Sequence, residues 1–343
     1  MTTRSGLRVG TVAVATVLAL STTAAASGAA AHTVDLGVLP GGNTGFAFDI
    51  NNKGQVVGYS NNADGVNRAV LWDAYGKATD LGTLPGDTSA TAYTVNDKGT
   101  AIVGRSLIPG GAQRPVMWSA AGTATALPVP GGTTISRAYA VNNSGTAVGF
   151  STGTDGVYKA LRWSSNGTLT QLPALPGDLA AGAGWINNSG TAVGYSRNAA
   201  GAMTAVTWST TGTVTRLRGL SGHDSYQATA ISDTGIAVGN SYTGTASHAV
   251  SWSREGTPSE LSPLPGDTGA AAYGVNDSGV VIGFSTDAAG LHRAVKWSAN
   301  GTPTALAGIA AGAAEAFGVN DQGAVVGFST GAAGTSRSTL WKD

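Results

Sequence analysis

The adjacent residues His223 and Asp224 combine two side-chain types that often transfer protons in enzymes. A histidine can act as a general base while a carboxylate orients it, and an arginine across the site can stabilise developing negative charge. This combination is typical of a lyase or hydrolase, with His223 and Asp224 as its catalytic residues. The competing interpretation is an exposed loop histidine without a chemical role, and we favour that interpretation.

Metal ligands are sparse in the sequence. His248 and His292 occupy different positions in two neighbouring repeats, and a metal site would need a third ligand such as Asp224 or Asp267. The chain contains no cysteine, which excludes disulfides, thiolate nucleophiles and cysteine-ligated metals. The sequence also lacks a Gly-x-Ser-x-Gly elbow, a His-Glu-x-x-His motif and a phosphate-binding loop. We therefore expect neither a metal nor a cofactor.

Aromatic and charged residues that differ between repeats are the candidates for ligand binding. Trp185 either stacks on a sugar or fills core space left by nearby glycines and alanines, and we favour packing. Asp87 paired with Asp178 or Asp267 would suit glycoside hydrolysis, but their recurrence at one turn position favours a role in the turn. The predicted ligand-binding residues are Trp185, Tyr226, Tyr242, His248, His292 and Arg293. Further variable residues predicted on the same face are Arg105, Arg114, Arg137, Tyr158, Lys159 and Arg197.

A long internal repeat must position these residues. Seven tryptophans follow one another at intervals of 44 to 46 residues, and we predict that they pack as structural wedges: Trp72, Trp118, Trp163, Trp208, Trp252, Trp297 and Trp341. A period of roughly 40 to 50 residues is typical of propellers and other repeat arrays. Each repeat contains four short apolar segments bounded by Gly, Pro, Asn, Asp or Ser, which predicts four β-strands and almost no helix.

The predicted fold is all-β: a seven-bladed β-propeller of about 45-residue, four-stranded blades, occupying residues 32–343. The chain ends directly after the seventh tryptophan, so we expect Val34–Leu39 to supply the fourth strand of the last blade and close the ring. The leucine-containing strand that opens each repeat is predicted to begin near Val34, Asp80, Ala126, Gln171, Arg216, Glu260 and Ala305.

Two glycine patterns accompany the strands. The tetrad Asn-x-x-Gly, first seen at Asn51 to Gly54, predicts a hairpin turn, because its asparagine can bond the backbone and its glycine accepts positive φ. A calcium loop is the alternative, but calcium needs six to eight oxygens, which a longer acidic loop supplies. A second glycine, Gly58 in the first repeat, recurs inside the following strand and predicts a close approach by a neighbouring backbone or large side chain.

The repeat resembles the extracellular HAF repeat family over the whole chain after residue 31. The first repeat carries the resemblance in the strings Asp35–Gly42, Ile50–Ser60 and Ala69–Trp72. The His-Ala-Phe signature is altered, since Arg68-Ala69-Val70 stands in the first repeat and His248-Ala249-Val250 keeps the His-Ala pair. The resemblance implies a secreted bacterial protein and no particular reaction.

Composition and the first residues predict export and limit the partners. Residues 1–31 combine Arg4 and Arg8 with an apolar run and an alanine-rich end, which predicts a secretory signal cleaved after Ala31 and not a transmembrane anchor. The 19 basic and 19 acidic residues balance, so nucleic acid is an unexpected partner. We therefore predict a monomeric, secreted or cell-surface binding or scaffold protein for a glycan, cell-wall polymer or protein partner, with the lyase or hydrolase near His223 and Asp224 as the alternative.

Overall fold

The computed structural model describes residues 32–244 and 246–342, and these residues form β-strands without a helix. The prediction of an all-β chain is therefore confirmed for the described residues. The predicted signal, residues 1–31, lies outside them.

Twenty-eight strands are found in the described ranges, and four of them make up each repeat. The first fourteen are β1 His32–Asp35, β2 Gly45–Ile50, β3 Val56–Asn61, β4 Asn67–Trp72, β5 Ala78–Asp80, β6 Ser89–Val95, β7 Ala101–Leu107, β8 Gln113–Ser119, β9 Ala124–Ala126, β10 Thr133–Val141, β11 Ala147–Gly153, β12 Lys159–Trp163, β13 Leu169–Leu172 and β14 Ala180–Ile186. The others are β15 Ala192–Arg197, β16 Met203–Trp208, β17 Val214–Arg216, β18 Ser225–Ile231, β19 Ala237–Thr243, β20 Ala246–Trp252, β21 Pro258–Leu261, β22 Gly269–Val275, β23 Val281–Thr286, β24 His292–Trp297, β25 Pro303–Ala305, β26 Ala314–Val319, β27 Val325–Thr330 and β28 Ser336–Lys342.

Successive strands of one repeat pair antiparallel, as in the sheet β2-β3-β4-β5. The repeats β6–β9 and β10–β13 are joined into one eight-stranded sheet by a single parallel bridge between Ile135 and Gln113. The final sheet has the order β1-β28-β27-β26, so β1 pairs with the last strand in the register Thr33 to Trp341. Strands from the two ends of the described region therefore share one sheet.

The leucine-containing strands lie earlier in the chain than predicted. In the first repeat the outer strand is Ala78–Asp80, whereas the sequence had placed its start near Asp80. Leu81 and Leu84 follow this strand in the connecting loop and are buried. In this repeat the prediction mistook loop leucines for a strand, because the outer strand is short and largely exposed while the leucines anchor the loop to the core. For the same reason β1 stops at Asp35 and does not extend to Leu39. In two other repeats the outer strand does end on a leucine, Leu172 or Leu261.

Each innermost strand carries a β-bulge opposite the recurrent strand glycine. Between β2 and β3 the register shifts from Ala47 to Asp49, and Phe48 is left over on the bulged strand. A Cβ added at Gly58 would lie 1.9 Å from the carbonyl oxygen of Phe46. The same contact recurs at the equivalent glycines in the other repeats, at 1.9 to 2.0 Å. The glycine is therefore required by a neighbouring backbone, which is one of the two approaches that the sequence predicted.

The periodic tryptophans fill the spaces between sheets. All seven are at most 1% exposed. Five indole N–H groups donate to a carbonyl near the end of the preceding repeat, as from Trp163 to Pro128 at 2.7 Å. Those of Trp72 and Trp118 have no partner. In the other five repeats the indole N–H is accepted by the carbonyl of a non-glycine residue. In these two repeats the equivalent residue is a glycine with positive φ, Gly37 or Gly82.

The Asn-x-x-Gly tetrads form hairpin turns and also connect the repeats. In the first tetrad Gly54 has φ of 74° and its N–H donates to the Asn51 carbonyl at 3.0 Å. The Asn51 Oδ1 accepts from the turn backbone, while its Nδ2 donates to the carbonyl of Asn96 in the next repeat at 3.1 Å. Equivalent bonds run onward from Asn96, Asn142, Asn187, Asn276 and Asn320. One side chain thus satisfies its own turn and a neighbour.

Candidate functional site

The connecting loops with the Leu-Pro-Gly pattern and the loops before each tryptophan strand lie at one end of the innermost strands. The Asn-x-x-Gly turns lie at the other end, because antiparallel strands reverse direction at every turn. We call the first end the loop end and the second the turn end. Each end carries a cavity on the innermost strands.

The loop-end cavity has a volume of about 560 Å³ and is lined mainly by aromatic side chains. Its size falls in the range of roughly 300 to 1,000 Å³ that small-molecule sites occupy. In every innermost strand, the bulge residue that has no partner on the next strand lines this cavity. These seven residues are Phe48, Tyr93, Tyr139, Gly184, Thr229, Tyr273 and Phe317. Gly184 and Thr229 are the two small residues of this set, and the other five are aromatic.

Aromatic contacts hold the cavity wall together. Phe150 stacks on Tyr158 with ring centroids 5.0 Å apart, and Tyr139 lies 5.6 Å from Phe150. Burial raises the pKa of Tyr93 to about 12 and that of Tyr195 to about 12. The hydroxyls of Tyr93 and Tyr195 are therefore neutral hydrogen-bonding groups at physiological pH, and the cavity presents flat aromatic rings bordered by donors and acceptors.

Arg137 is the charged residue that lines this cavity. Its Nε donates to Gln113 Oε1 at 2.7 Å, its Nη1 donates to the Tyr139 hydroxyl at 3.3 Å, and its guanidinium lies 5.8 Å from the Phe150 ring centre. Burial opposes its charge, but interactions with Tyr93 and Tyr139 outweigh that effect and the pKa of Arg137 is raised. Arg137 is therefore a fixed positive charge in an aromatic wall.

Trp185 lines both cavities and so lies at their boundary. It is half-buried and packs against three of the apolar core clusters. The residues at the equivalent position of the other repeats are all smaller: Asp49, Thr94, Ala140, Ala230, Gly274 and Gly318. Both predicted roles of Trp185 fit this position, because it packs on the core and also presents a surface to the loop-end cavity.

The turn-end cavity is small, about 110 Å³, and residues of all seven repeats line it. The second residue of each tetrad contributes a side-chain oxygen, and most of these oxygens accept a backbone N–H from the preceding repeat, as Asp97 Oδ1 does from Asn52 at 3.2 Å. Asp49 is buried beside this ring and accepts the Val95 N–H at 3.0 Å. Burial raises the pKa of Asp49 to about 7, and the charge of Asp97 adds to that effect. These oxygens are already used to join repeats.

The predicted catalytic pair is not a histidine–carboxylate dyad. His223 Nδ1 lies 2.7 Å from Ser241 Oγ, and Asp224 is exposed next to it. The ring of His223 meets the ring of His248 edge to face at 4.7 Å. In two other repeats the equivalent positions hold the ion pairs Asp87–Arg114 and Asp267–Arg293. His223 and His248 thus occupy the place of a structural ion pair.

The other predicted ligand-binding residues are distributed around the loop end. His248 Nδ1 also lies 2.7 Å from Glu260, and Arg293 binds the buried carboxylate of Asp267 through two nitrogens. Tyr226 is buried in the core, and the Tyr242 hydroxyl accepts from Gln227 at 3.4 Å.

His292 stacks on Phe284 at 3.9 Å, and its Nδ1 lies 2.7 Å from Glu315 Oε1. The aromatic cavity is not lined by these predicted ligand-binding residues: His248, His292, Arg293, Tyr226 and Tyr242. Tyr242 is connected to it through the bond with Gln227, which is a lining residue.

From the sequence, Arg137 and Tyr158 were predicted only as variable residues, and the aromatic residues at the bulges were not predicted to line a cavity. The sequence does contain a signal for these residues. The third residue before the first position of each turn tetrad is aromatic in five repeats and small in two. The bulge that turns this residue toward the cavity is specified by the glycine opposite it, which the sequence shows only indirectly.

No cluster of three or more His, Asp or Glu side chains in the described ranges is arranged to hold a metal ion. Within residues 32–244 and 246–342 there is also no helix with the length and hydrophobicity of a membrane span.

Comparisons with known proteins identify the fold. No family model matches the chain, and no curated protein matches it in sequence. A streptogramin B lyase structure is 14% identical with a TM-score of 0.58, covering 91% of this chain and 97% of that one. Oligogalacturonate lyase in complex with manganese is 13% identical with a TM-score of 0.59, covering 86% and 88%. The β-propeller domain of the Trilobed protease from Pyrococcus furiosus, whose topology is described as open velcro, is 11% identical with a TM-score of 0.56, covering 88% and 94%. Identities this low show shared architecture alone, and that architecture is the β-propeller.

Proposed function

We propose that this chain is a secreted, non-enzymatic binding protein whose loop-end cavity holds a ligand with sugar rings, which stack on aromatic side chains through their C–H faces. The observation that carries the proposal is the aromatic lining of a cavity of about 560 Å³, which contains one fixed cation and the neutral hydroxyls of Tyr93 and Tyr195. Such a surface favours stacking and hydrogen bonding, while an arrangement for proton transfer is lacking at the predicted pair. A glycan or cell-wall polymer fits this chemistry better than an extended protein surface does.

Binding can be tested with the purified full chain against bacterial cell walls and a panel of polysaccharides. Replacing Tyr158→Ala removes a ring that stacks on Phe150 and should weaken binding about tenfold. Tyr75→Ala is the matched control, because Tyr75 is 96% exposed in a turn-end hairpin. Saturable binding that Tyr75→Ala retains and Tyr158→Ala weakens supports the proposal; equal effects of the two variants would contradict it.

The fold that carries this site is, in our proposal, a seven-bladed propeller closed by its N-terminal strand. The pairing of β1 with β28 and the bond from Asn320 Nδ2 to the Asn51 carbonyl at 3.2 Å support this arrangement. Closure removes a sheet edge that would otherwise be exposed. Deleting Val34–Leu39 should then lower the melting temperature of the whole ring, and an unchanged melting temperature would exclude closure by this segment.

We also propose membership of the HAF repeat family and export by a signal cleaved after Ala31. The supporting observations are the repeat strings in the sequence and the charged, apolar and alanine-rich succession of residues 1–31. Mass spectrometry of protein recovered from the culture medium should give an N-terminus at His32. An uncleaved chain that stays inside the cell would contradict export.

The alternative function is a lyase or hydrolase that uses His223 and Asp224. The bond from His223 to Ser241 gives the histidine a structural partner in place of a carboxylate, so this alternative has less support. If the protein degrades a polysaccharide that it binds, His223→Ala should abolish turnover and spare binding. Unchanged turnover in His223→Ala would exclude this residue as the base.

A further inference from the structure

Three arginines gather on one side of the loop-end cavity, on the repeats β6–β9, β10–β13 and β14–β17. Arg137 lines the cavity directly. Arg105 Nη1 donates at 3.2 Å to the same Gln113 Oε1 that accepts from Arg137 Nε. Arg197 lies 5.6 Å from the ring centre of Tyr158, which is also a lining residue. Two guanidinium groups thus share one neutral acceptor, and the third rests on an aromatic face.

These arginines differ from the other loop-end arginines in their partners. Arg114 and Arg293 bind carboxylates that are at most 1% exposed, and Arg68 binds Asp80 at 2.9 Å. In the described part of the chain, Arg105, Arg137 and Arg197 have no such ion pair. The Nε of Arg105 is buried without a hydrogen-bond partner. A buried donor left unsatisfied and a cation without a counter-ion both cost free energy, which an anionic ligand would recover.

One acidic side chain, that of Glu315, interacts with a residue of the cavity wall. The charge of Glu315 contributes to the raised pKa of Tyr273, which lines the cavity. The carboxylate itself is hydrogen-bonded to His292, with Oε1 2.7 Å from Nδ1. The positive charges of Arg105 and Arg137 both act to lower the pKa of the Tyr93 hydroxyl, against the larger effect of burial. The cavity therefore combines a positively charged side with a wall of aromatic side chains.

We propose that the ligand of this cavity is an acidic saccharide of the uronic-acid type, whose rings stack on the aromatic wall and whose carboxylate binds Arg137. This inference rests on the proposed function, since it names the ligand class of the same site. Arg137 offers hydrogen-bond donors and a fixed charge to a planar carboxylate, while the aromatic side chains that line the rest of the cavity supply the stacking surface. Arg105 and Arg197 strengthen the field that favours the anion over a neutral sugar.

The test is calorimetric titration of the purified full chain with a uronic-acid trisaccharide, its methyl ester and a neutral trisaccharide of the same linkage. The acid should bind at least tenfold more tightly than the ester, because a hydrogen bond to a carboxylate is stronger than one to a neutral ester. Higher salt should reduce the difference, because salt screens the charges. Arg137→Gln should remove this preference. Arg68→Gln is the matched control, because it replaces an arginine that is paired with Asp80.

Arg197→Gln provides a second variant in case Arg137→Gln fails to fold, since its one described side-chain contact is the Tyr158 ring. It should reduce the preference for the acid about threefold to tenfold. Equal affinity for acid and ester would overturn the acidic-saccharide inference and leave the binding function intact. Absence of binding to all three sugars would overturn both for this ligand class, and a preference that survives in both variants would overturn the role of the arginines.

Discussion

His223 and His248 meet edge to face, with ring centroids 4.7 Å apart, at the two positions where other repeats place an aspartate and an arginine. The Asp87–Arg114 pair shows what those positions do elsewhere: a buried carboxylate in the connecting loop binds an arginine on the tryptophan strand. His223 instead bonds Ser241, whose equivalents in several repeats accept a loop backbone N–H. The histidines therefore continue a loop-to-strand contact with different chemistry.

Restoring the ion pair should stabilise this repeat. The double variant His223→Asp with His248→Arg reproduces the Asp87–Arg114 arrangement and should raise the free energy of unfolding by about 0.5 to 1 kcal/mol, since the arginine is partly solvent-exposed. Urea unfolding of the two single variants and the double variant gives the coupling free energy. A coupling of zero would show that the two positions do not form a pair.

The turn-end hydrogen bonds predict a second stabilising change. Ser232 is the member of the tetrad series without an amide, and its hydroxyl bonds Thr234 in its own turn. Ser232→Asn should add the missing donor to the carbonyl of Asn276 and increase stability by about 0.5 to 1.5 kcal/mol. Asn142→Ala is the reverse control and should destabilise, because it removes the bond to Asn187. A Ser232→Asn variant no more stable than the parent protein would contradict the inter-repeat role.

Asp49 should make stability depend on pH. Burial raises the pKa of Asp49 from the ordinary value of an aspartate to about 7, so the folded protein binds the proton more tightly than the unfolded chain. Stability is then greatest below the unfolded pKa, and it falls as pH rises from about 4 to about 7, by on the order of 1 to 4 kcal/mol. Asp49→Asn should flatten this part of the profile. Parallel pH profiles for the two proteins would exclude Asp49 as the cause.

The strand glycines predict a sharp difference between two glycine-to-alanine changes. Gly104→Ala would place a Cβ 2.0 Å from the Thr91 carbonyl oxygen, so we expect a loss of about 1 to 3 kcal/mol or a failure to fold. Gly131→Ala is the control, because no atom lies within 4 Å of its added Cβ and its φ is not positive. Thermal unfolding should separate the two variants, and similar melting temperatures would refute the close approach.

The repeat made much of the fold predictable from the sequence. The tryptophan period, the turn tetrads and the strand glycines each have a local physical cause, so the all-β propeller and its turns followed from them. The outer strands were misplaced because the buried leucines Leu81 and Leu84 belong to a loop. Local patterns do not distinguish a loop leucine from a strand leucine when both face the core.

The candidate site was harder to predict, since it depends on residues from different repeats. Arg105 and Arg137 are 32 positions apart in the sequence and share an acceptor on a third segment, Gln113. His223 and Asp224 are adjacent in the sequence, yet His223 bonds Ser241 and Asp224 is exposed to solvent. Proximity in sequence was therefore a poor guide to chemistry in this chain.

The bulge opposite each strand glycine has a consequence for divergence. It presents one residue per repeat to the loop-end cavity without using that residue to pair strands, so Phe48, Gly184 and Thr229 occupy the same backbone setting with different side chains. A substitution at any of these seven positions changes the cavity lining and leaves the strand register intact. Ligand preference can thus diverge by substitution at these seven positions while the pairing of the strands stays the same.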